Sequence, residues 1–331
     1  MKVRQTCWFL CAVAGLVLSA CGGGGGGDGG GGVGETPAIA DAAYDGVRDQ
    51  AYLDAANAET LILGAYGSPD FAEIVPLAAV GQENLVTLNA DFSDPFQLVT
   101  LFSQTAEKLT RDRQVQTQAL LVPAEECLNY PEGTLTDNLT ESTDGTTDRV
   151  SGTITYINCD VGDGIVLDGN VQISASINVN TLDMNLSMTM NPLGYSDGFE
   201  TYSLIGSLAG DITSNLMVFD LTINMTLDTL TDAMYWLNDY VIHETDEFTG
   251  IRSTVSGRFY DSGYGYVDFE TDPLQTIYEP YNTSESTYDG LLYFYGSSGS
   301  QANLWLGMNQ GDYCINVFNQ SGVFDLGTCV N

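Results

Sequence analysis

The sequence predicts an α+β chain that is mostly β: a small helical N-terminal region beside a large antiparallel β-meander sheet. Three observations predict it. From about Arg149 onward, long runs alternate apolar and polar residues with period two. Turn residues such as Asn180-Thr181 and the stretch from Asn191 to Gly198 separate those runs. Helix-like texture is confined to the segment between Glu35 and about Leu121.

The first element is a signal segment, residues 1–20. Lys2 and Arg4 supply positive charge, and Trp8 to Leu18 is an apolar run of the length of a signal h-region. It is shorter than the roughly 20 apolar residues that a membrane span needs. Leu18-Ser19-Ala20-Cys21 follows. It resembles the lipobox of bacterial lipoproteins, which implies cleavage before Cys21 and acylation (palmitate or a similar chain) on that residue. Gly22 at the next position implies the outer membrane in such proteins, because Asp there is the retention signal. Each buried CH₂ contributes about 0.8 kcal/mol, so two or three acyl chains hold a protein firmly on a membrane.

Residues 21–36 form the second element, the lipidated cysteine and its tether. Gly22 to Gly34 is nearly all glycine, broken by Asp28 and Val33. A flexible coil of this length reaches on the order of 20 Å. The tract also matches GxGxxG, but no strand precedes it and no capped helix follows, so a nucleotide site is excluded.

Residues 37–122 are the mixed, helical N-terminal region. Asp54 is placed to cap a helix from Ala55 to Tyr66, with Glu59 near its start and Gly67 as the stop. A second helix fits Pro95 to Arg113, with Leu98, Leu101, Phe102, Ala106 and Leu109 on one face.

Residues 123–331 are the antiparallel β domain. Val171, Ile173, Ala175, Ile177 and Val179 share one phase; Leu182, Met184, Leu186, Met188 and Met190 continue it, as do Met217, Phe219, Leu221, Ile223, Met225 and Leu227. The intervening residues are Ser, Thr, Asn, Gln and Asp, which is the pattern of a sheet with one dry and one wet face. About ten strands are expected, with glycines near strand starts at 152, 169, 206, 257 and 290.

Composition bounds function. The formal net charge is −35, with 44 acidic and 9 basic residues. A nucleic-acid partner is excluded, since it needs a basic footprint. Anionic lipid headgroups would be repelled, so membrane contact is expected through the N-terminal lipid. Acid clusters at Asp160/Asp163/Asp168 and Asp137/Glu141/Asp144/Asp148 are candidate calcium sites, although neither fits an EF-hand. No cysteine pair has zinc spacing and His243 is the single histidine, so no resident metal or other cofactor is expected. Cys127, Cys159, Cys314 and Cys329 remain after processing, an even number in an exported chain. Three pairings are open; the shortest loops favour Cys127–Cys159 and Cys314–Cys329.

Three arrangements invite chemical readings. Gly194-Tyr195-Ser196-Asp197-Gly198 matches GxSxG, with Asp239 and His243 downstream in the order of a hydrolase triad. Strand-like residues on both sides make it a hairpin turn instead, so no catalytic residues are assigned. Tyr235, Trp236, Tyr240, Tyr264, Tyr266, Tyr293, Phe294, Tyr295 and Trp305 would suit a sugar platform or ordinary strands. Met184, Met188, Met190, Met217 and Met225 lie on one apolar face, which is core if covered and a lipid or acyl-chain site if open.

Tyr44 to Ala51 leading into Asp54 to Glu59, then Pro273-Leu274, Asp289 to Leu292 and Gly296 to Ser300, resemble segments of proteobacterial outer-membrane lipoproteins of uncharacterised activity that carry a lipobox and a poly-glycine tether. The resemblance touches both ends of the chain and implies architecture and location rather than mechanism. The expected function is a lipid-anchored envelope lipoprotein of the outer membrane, not an enzyme, acting as an interaction or structural module with a protein or glycan partner. The alternative is a carrier or chaperone for a hydrophobic ligand on the methionine-rich face.

Overall fold

The computed structural model describes residues 37–66, 127, 129, 132–162, 165–181, 183–196, 201–213, 218–229, 233–280, 289–307, 313–319 and 324–330. The signal segment, Cys21, the tether, the expected helix from Pro95 to Arg113, Asp163 and Met217 lie outside them.

Two helices precede the strands: α1 (Pro37–Ala43) and α2 (Ala58–Tyr66). The strands are β1 (Thr134–Asp137), β2 (Thr140–Thr143), β3 (Thr147–Gly162), β4 (Ile165–Asn178), β5 (Met184–Ser196), β6 (Thr201–Thr213), β7 (Val218–Asp228), β8 (Met234–Glu247), β9 (Gly250–Asp261), β10 (Gly265–Thr271), β11 (Ile277–Pro280), β12 (Gly290–Tyr295), β13 (Gln301–Leu306), β14 (Tyr313–Phe318) and β15 (Phe324–Val330). They form one open antiparallel sheet of fifteen strands, and from β3 to β10 each strand pairs with the next in sequence. The α+β, mostly β class is as the alternation predicts, with more strands than expected.

The register assigns every side chain to a face. Leu204, Leu227, Met225, Leu237, Phe259 and Val267 belong to the inner face, and each is buried in one continuous core. The outer phase carries Ser151, Ser174, Ser187, Gln172 and Thr189, all directly opposite polar or small neighbours.

So large a sheet must bend to keep one face dry, and glycines mark where it bends. Gly152, Gly169, Gly206 and Gly257 have φ of 154°, 133°, 148° and 152°. They lie inside strands rather than at strand starts, as their spacing had suggested. Each faces a neighbouring segment at 138–139, 192–193, 224–225 or 239–240. Register shifts fall at Met190/Leu193, Ile223/Met225 and Asn238/Val241, in the same band across the sheet. These are β-bulges, which increase local twist and curl a sheet. Of the five glycines expected near strand starts, Gly290 alone begins a strand.

The N-terminal segment clamps both faces. α1 lies on the outer face: Thr226 Oγ1 donates to the Ala40 carbonyl at 2.7 Å, and Tyr44 packs on Trp236 and Tyr260. α2 lies on the inner face, with Leu61, Ile62 and Ala65 in the main core and Gly64 seated on the Phe259 ring. Between them the chain crosses the sheet beside β10. Tyr266 N–H donates to the Asp49 carbonyl at 3.1 Å, and Ala51 N–H donates to the Tyr266 carbonyl at 2.8 Å. This parallel pairing occupies the end of β10 that β12 leaves open, because β12 pairs only with Asp268 to Thr271. The turn from Gly296 to Ser300 closes over the crossing: Ser297 N–H donates to the Ala51 carbonyl at 2.7 Å, and Leu53 N–H donates to Ser300 Oγ at 2.9 Å.

α2 starts later than expected. Asp54 N–H donates to Asn57 Oδ1 at 3.1 Å, and Ala56 N–H donates to Asp54 Oδ1 at 2.8 Å. Residues 54–57 therefore close as a side-chain-bonded turn, and the helix begins at Ala58.

A Cβ at position 206 would overlap the Asn224 carbonyl oxygen, at a φ of 148° that L side chains avoid. Gly206→Ala is expected to lower stability by about 2–4 kcal/mol, from strain plus a backbone shift against buried Met225. The check is a urea titration, in which the midpoint falls while the slope is retained.

Candidate functional site

The outer face of β3 to β8 is the surface on which the sequence-predicted chemistry can be tested. Thr153 faces Gln172 and Gln172 faces Thr189; Ser174 faces Ser187. These side chains line a shallow trough of about 340 Å³. It carries hydroxyl and amide groups and no charge, in a chain of net charge −35.

Toward one end of the sheet the same face carries a bonded row. Asn185, Asp211, Asp220 and His243 are directly opposite one another on β5, β6, β7 and β8. Asn185 Nδ2 donates to Asp211 Oδ1, and Ser176 Oγ donates to Asn185 Oδ1 at 3.2 Å. His243 Nδ1 lies 2.6 Å from Asp220 Oδ1. Two carboxylates opposite each other repel; the amide and the imidazole on either side offset that repulsion. The sequence gave no sign of this pairing, because it depends on register between strands.

The Ser196, Asp239 and His243 set is not assembled. Ser196 pairs with Thr201 at one end of β5, whereas His243 is level with Asn185 at the other end, on the order of 30 Å away at roughly 3.3 Å per residue. Asp239 sits in the β8 bulge with φ of 49°, and its N–H donates to Asn224 Oδ1 at 2.8 Å. Gly194, Tyr195 and Ser196 are the last residues of β5, which pairs antiparallel with β6, and Asp197 and Gly198 lie outside the described residues.

The aromatic residues do not form a sugar platform. Trp236 and Tyr260 stack at 4.3 Å between ring centroids and are buried under Tyr44, while Tyr240 and Phe294 are in the main core. Arg48 covers this cluster 5.6 Å from the Trp236 ring, held by Asp41 and by the Tyr44 carbonyl at 2.7 Å. Arg258 lies 4.0 Å from the Tyr266 ring and pairs with Asp268 at 2.6 Å. Tyr293 and Tyr295 donate to Asp272 and Glu270 at 2.9 and 2.8 Å.

The methionine face is covered. Met184, Met188, Met190 and Met225 are 7%, 1%, 0% and 0% exposed. Among the described residues no three His, Cys, Asp or Glu side chains are arranged to hold a metal. Asp144, from one acid cluster, instead accepts the Thr146 and Thr147 N–H groups and the Arg149 guanidinium, which hold its carboxyl well below the usual range. Both disulfides join the nearest cysteines, Cys127–Cys159 and Cys314–Cys329. No described helix is long and apolar enough to cross a membrane.

Buried Glu244, Asp261 and Glu279 went unseen in the sequence, and Glu244 is the most deeply buried of the three. Glu244 lies on the inner face of β8, opposite Ser253, whose Oγ donates to Oε1 at 3.4 Å. The bulge between Asn238 and Val241 shifts the phase of β8 and turns Glu244 inward with Ile242. Its position two residues after Ile242 was the available signal. Burial pushes its carboxyl up to about 7 from an ordinary 4.5, and the Ser253 bond offsets only part of that.

Comparison with protein-family models, with curated proteins and with solved structures returned no match.

The Glu244 carboxyl binds its proton more tightly in the folded state than in the unfolded one. Its contribution to stability is complete below pH 4.5 and is lost as pH rises to about 7. The loss is roughly 3 kcal/mol at one pKa unit per 1.4 kcal/mol. Glu244→Gln is expected to remove this component, so its stability relative to the parent protein rises between pH 4.5 and 7 and is level above. Denaturant titrations of both proteins across that range provide the check.

Proposed function

We propose that the chain is an exported lipoprotein, acylated on Cys21 and held at the outer membrane, that acts as a non-enzymatic interaction or structural module. The observation that carries this reading is the outer face of the sheet. It is broad and carries, over β3, β4 and β5, a shallow trough lined by uncharged Thr153, Gln172, Ser174, Ser187 and Thr189. Such a surface suits hydrogen bonding to a protein or glycan partner without the repulsion that the rest of the molecule would impose. The burial of four methionines supports this reading over the lipid carrier, since an acyl chain needs an open apolar face.

The lipobox and glycine tether support the anchor. Metabolic labelling with palmitate is expected to mark the protein, and Cys21→Ser to lose both the label and the membrane fraction. Retained label in that variant would overturn the anchor. For the module, a photoreactive residue replacing Gln172 is expected to trap a discrete envelope component. One replacing Arg149, at the margin of the same face, serves as the comparison. Equal trapping at both positions would argue against a centred binding surface. Native and denaturing mass spectra of the acylated protein in detergent should show no lipid-sized mass that leaves on denaturation; such a mass would favour the carrier.

A further inference from the structure

The two disulfides differ in their surroundings. Cys127 and Cys159 are 2% and 0% exposed, inside the main core. Cys329 is exposed and Cys314 half-buried, both on the outer face at the end of the sheet. β15, which carries Cys329, is the last strand of the sheet and pairs only with β14. A thiol approaching from the free edge therefore meets Cys329 Sγ without displacing core side chains.

The β14–β15 ladder also continues on either side of the bond. Cys314 and Cys329 are directly opposite each other in the β14–β15 ladder, which runs from Tyr313↔Val330 to Phe318↔Phe324. Backbone hydrogen bonds hold the two strands together on both sides of the bridge. Cys127–Cys159 instead joins β3 to a segment outside the sheet, with a sequence separation of 32.

We propose that Cys314–Cys329 is a thiol-exchange site, at which a dithiol reductant reacts while Cys127–Cys159 stays closed. One thiolate of the dithiol attacks Cys329 Sγ. The bond between Cys329 and Cys314 breaks, and Cys314 leaves as a thiolate that takes up a proton. The second thiol of the reductant then attacks the mixed disulfide, closes the reductant's own disulfide and leaves Cys329 as a thiol. Two electrons and two protons pass from the dithiol to the protein. Accessibility of the attacked sulfur controls the rate of such exchange. The negative charge of the chain favours an uncharged or cationic dithiol over an anionic thiol.

The structure supplies a reporter. Trp305 lies directly across from Cys314 on β13, so breaking the bridge alters its surroundings. Trp236, the other tryptophan beyond the signal segment, is buried under Tyr44 on a different part of the sheet.

The test treats the full acylated protein in detergent with dithiothreitol, without denaturant, and quenches samples with an alkylating reagent. Peptide mass mapping is expected to place the first two tags on Cys314 and Cys329, at a rate at least tenfold above that of Cys127 and Cys159. Trp305 fluorescence should change in the same phase, with the β-type circular dichroism retained and the bridge re-forming on oxidation. A double variant, C314S/C329S, should lose the fast phase and keep the slow one. A rate ratio below tenfold, prior tagging of Cys127 or Cys159, no reaction without denaturant, or loss of the β signal in the fast phase would each overturn the assignment.

Discussion

Everything in this molecule depends on drying one face of a single sheet. Strands β3 to β9 run for 11 to 16 residues each and alternate on either side of their bulges, so each contributes a long apolar row to the same side. Apolar burial at about 25 cal/mol per Å² is the main favourable term for such a chain. A flat sheet of this width would leave that side exposed. The band of bulges opposite Gly152, Gly169, Gly206 and Gly257 lets the strands bend together, and α2 seals part of the inner face at Phe259. Among the described residues the first and last strands do not pair, so the sheet is open.

The clamp formed by residues 37 to 66 follows from that openness. β12 stops short of the start of β10 and leaves a gap in the ladder. The segment from Asp49 to Ala51 fills it with parallel pairing and crosses from one face to the other. α1 and α2 are thereby fixed on opposite sides of the sheet. The chain that leads to the expected tether arrives on the outer, polar face, over Thr226 and Trp236.

Charge shapes the remainder. The excess of acids is spread over the surface, and several carboxylates are absorbed locally: Asp144 and Asp272 by turn N–H groups, Asp268 by Arg258, Glu247 by Arg252. Glu244 is the exception, since it lies in the core with only a serine for company and keeps its proton into the neutral range. The uncharged patch over β3 to β5 on the outer face stands apart from all of these, and it is the feature on which the proposed interaction role rests.

How much was legible beforehand follows from which forces are local. The period-two rows of β4, β5 and β7 could be read directly, because a strand's side chains alternate whatever its partner. The same holds for the preference of neighbouring cysteines for short loops, whereas the helix expected from Ala55 begins at Ala58 because the Asp54 and Asn57 side chains close a turn first. The glycines at 152, 169, 206 and 257 were visible but misplaced, since a bulge is defined by the facing strand and not by its own sequence. The Asp211–Asp220–His243 row, the inward turn of Glu244 and the separation of Ser196 from His243 depend on register across several strands, which no single strand encodes. The aromatic residues show the same limit: Trp236 reads as part of a binding platform until Ala40 and Tyr44 are seen to cover it. The sequence by itself determined a one-sided, acidic, β-rich chain, because alternation and charge are carried by neighbours in the chain. Only the tertiary structure decided which polar groups meet, which aromatic residues are buried and which disulfide faces water, because those depend on strands brought together from distant parts of the sequence.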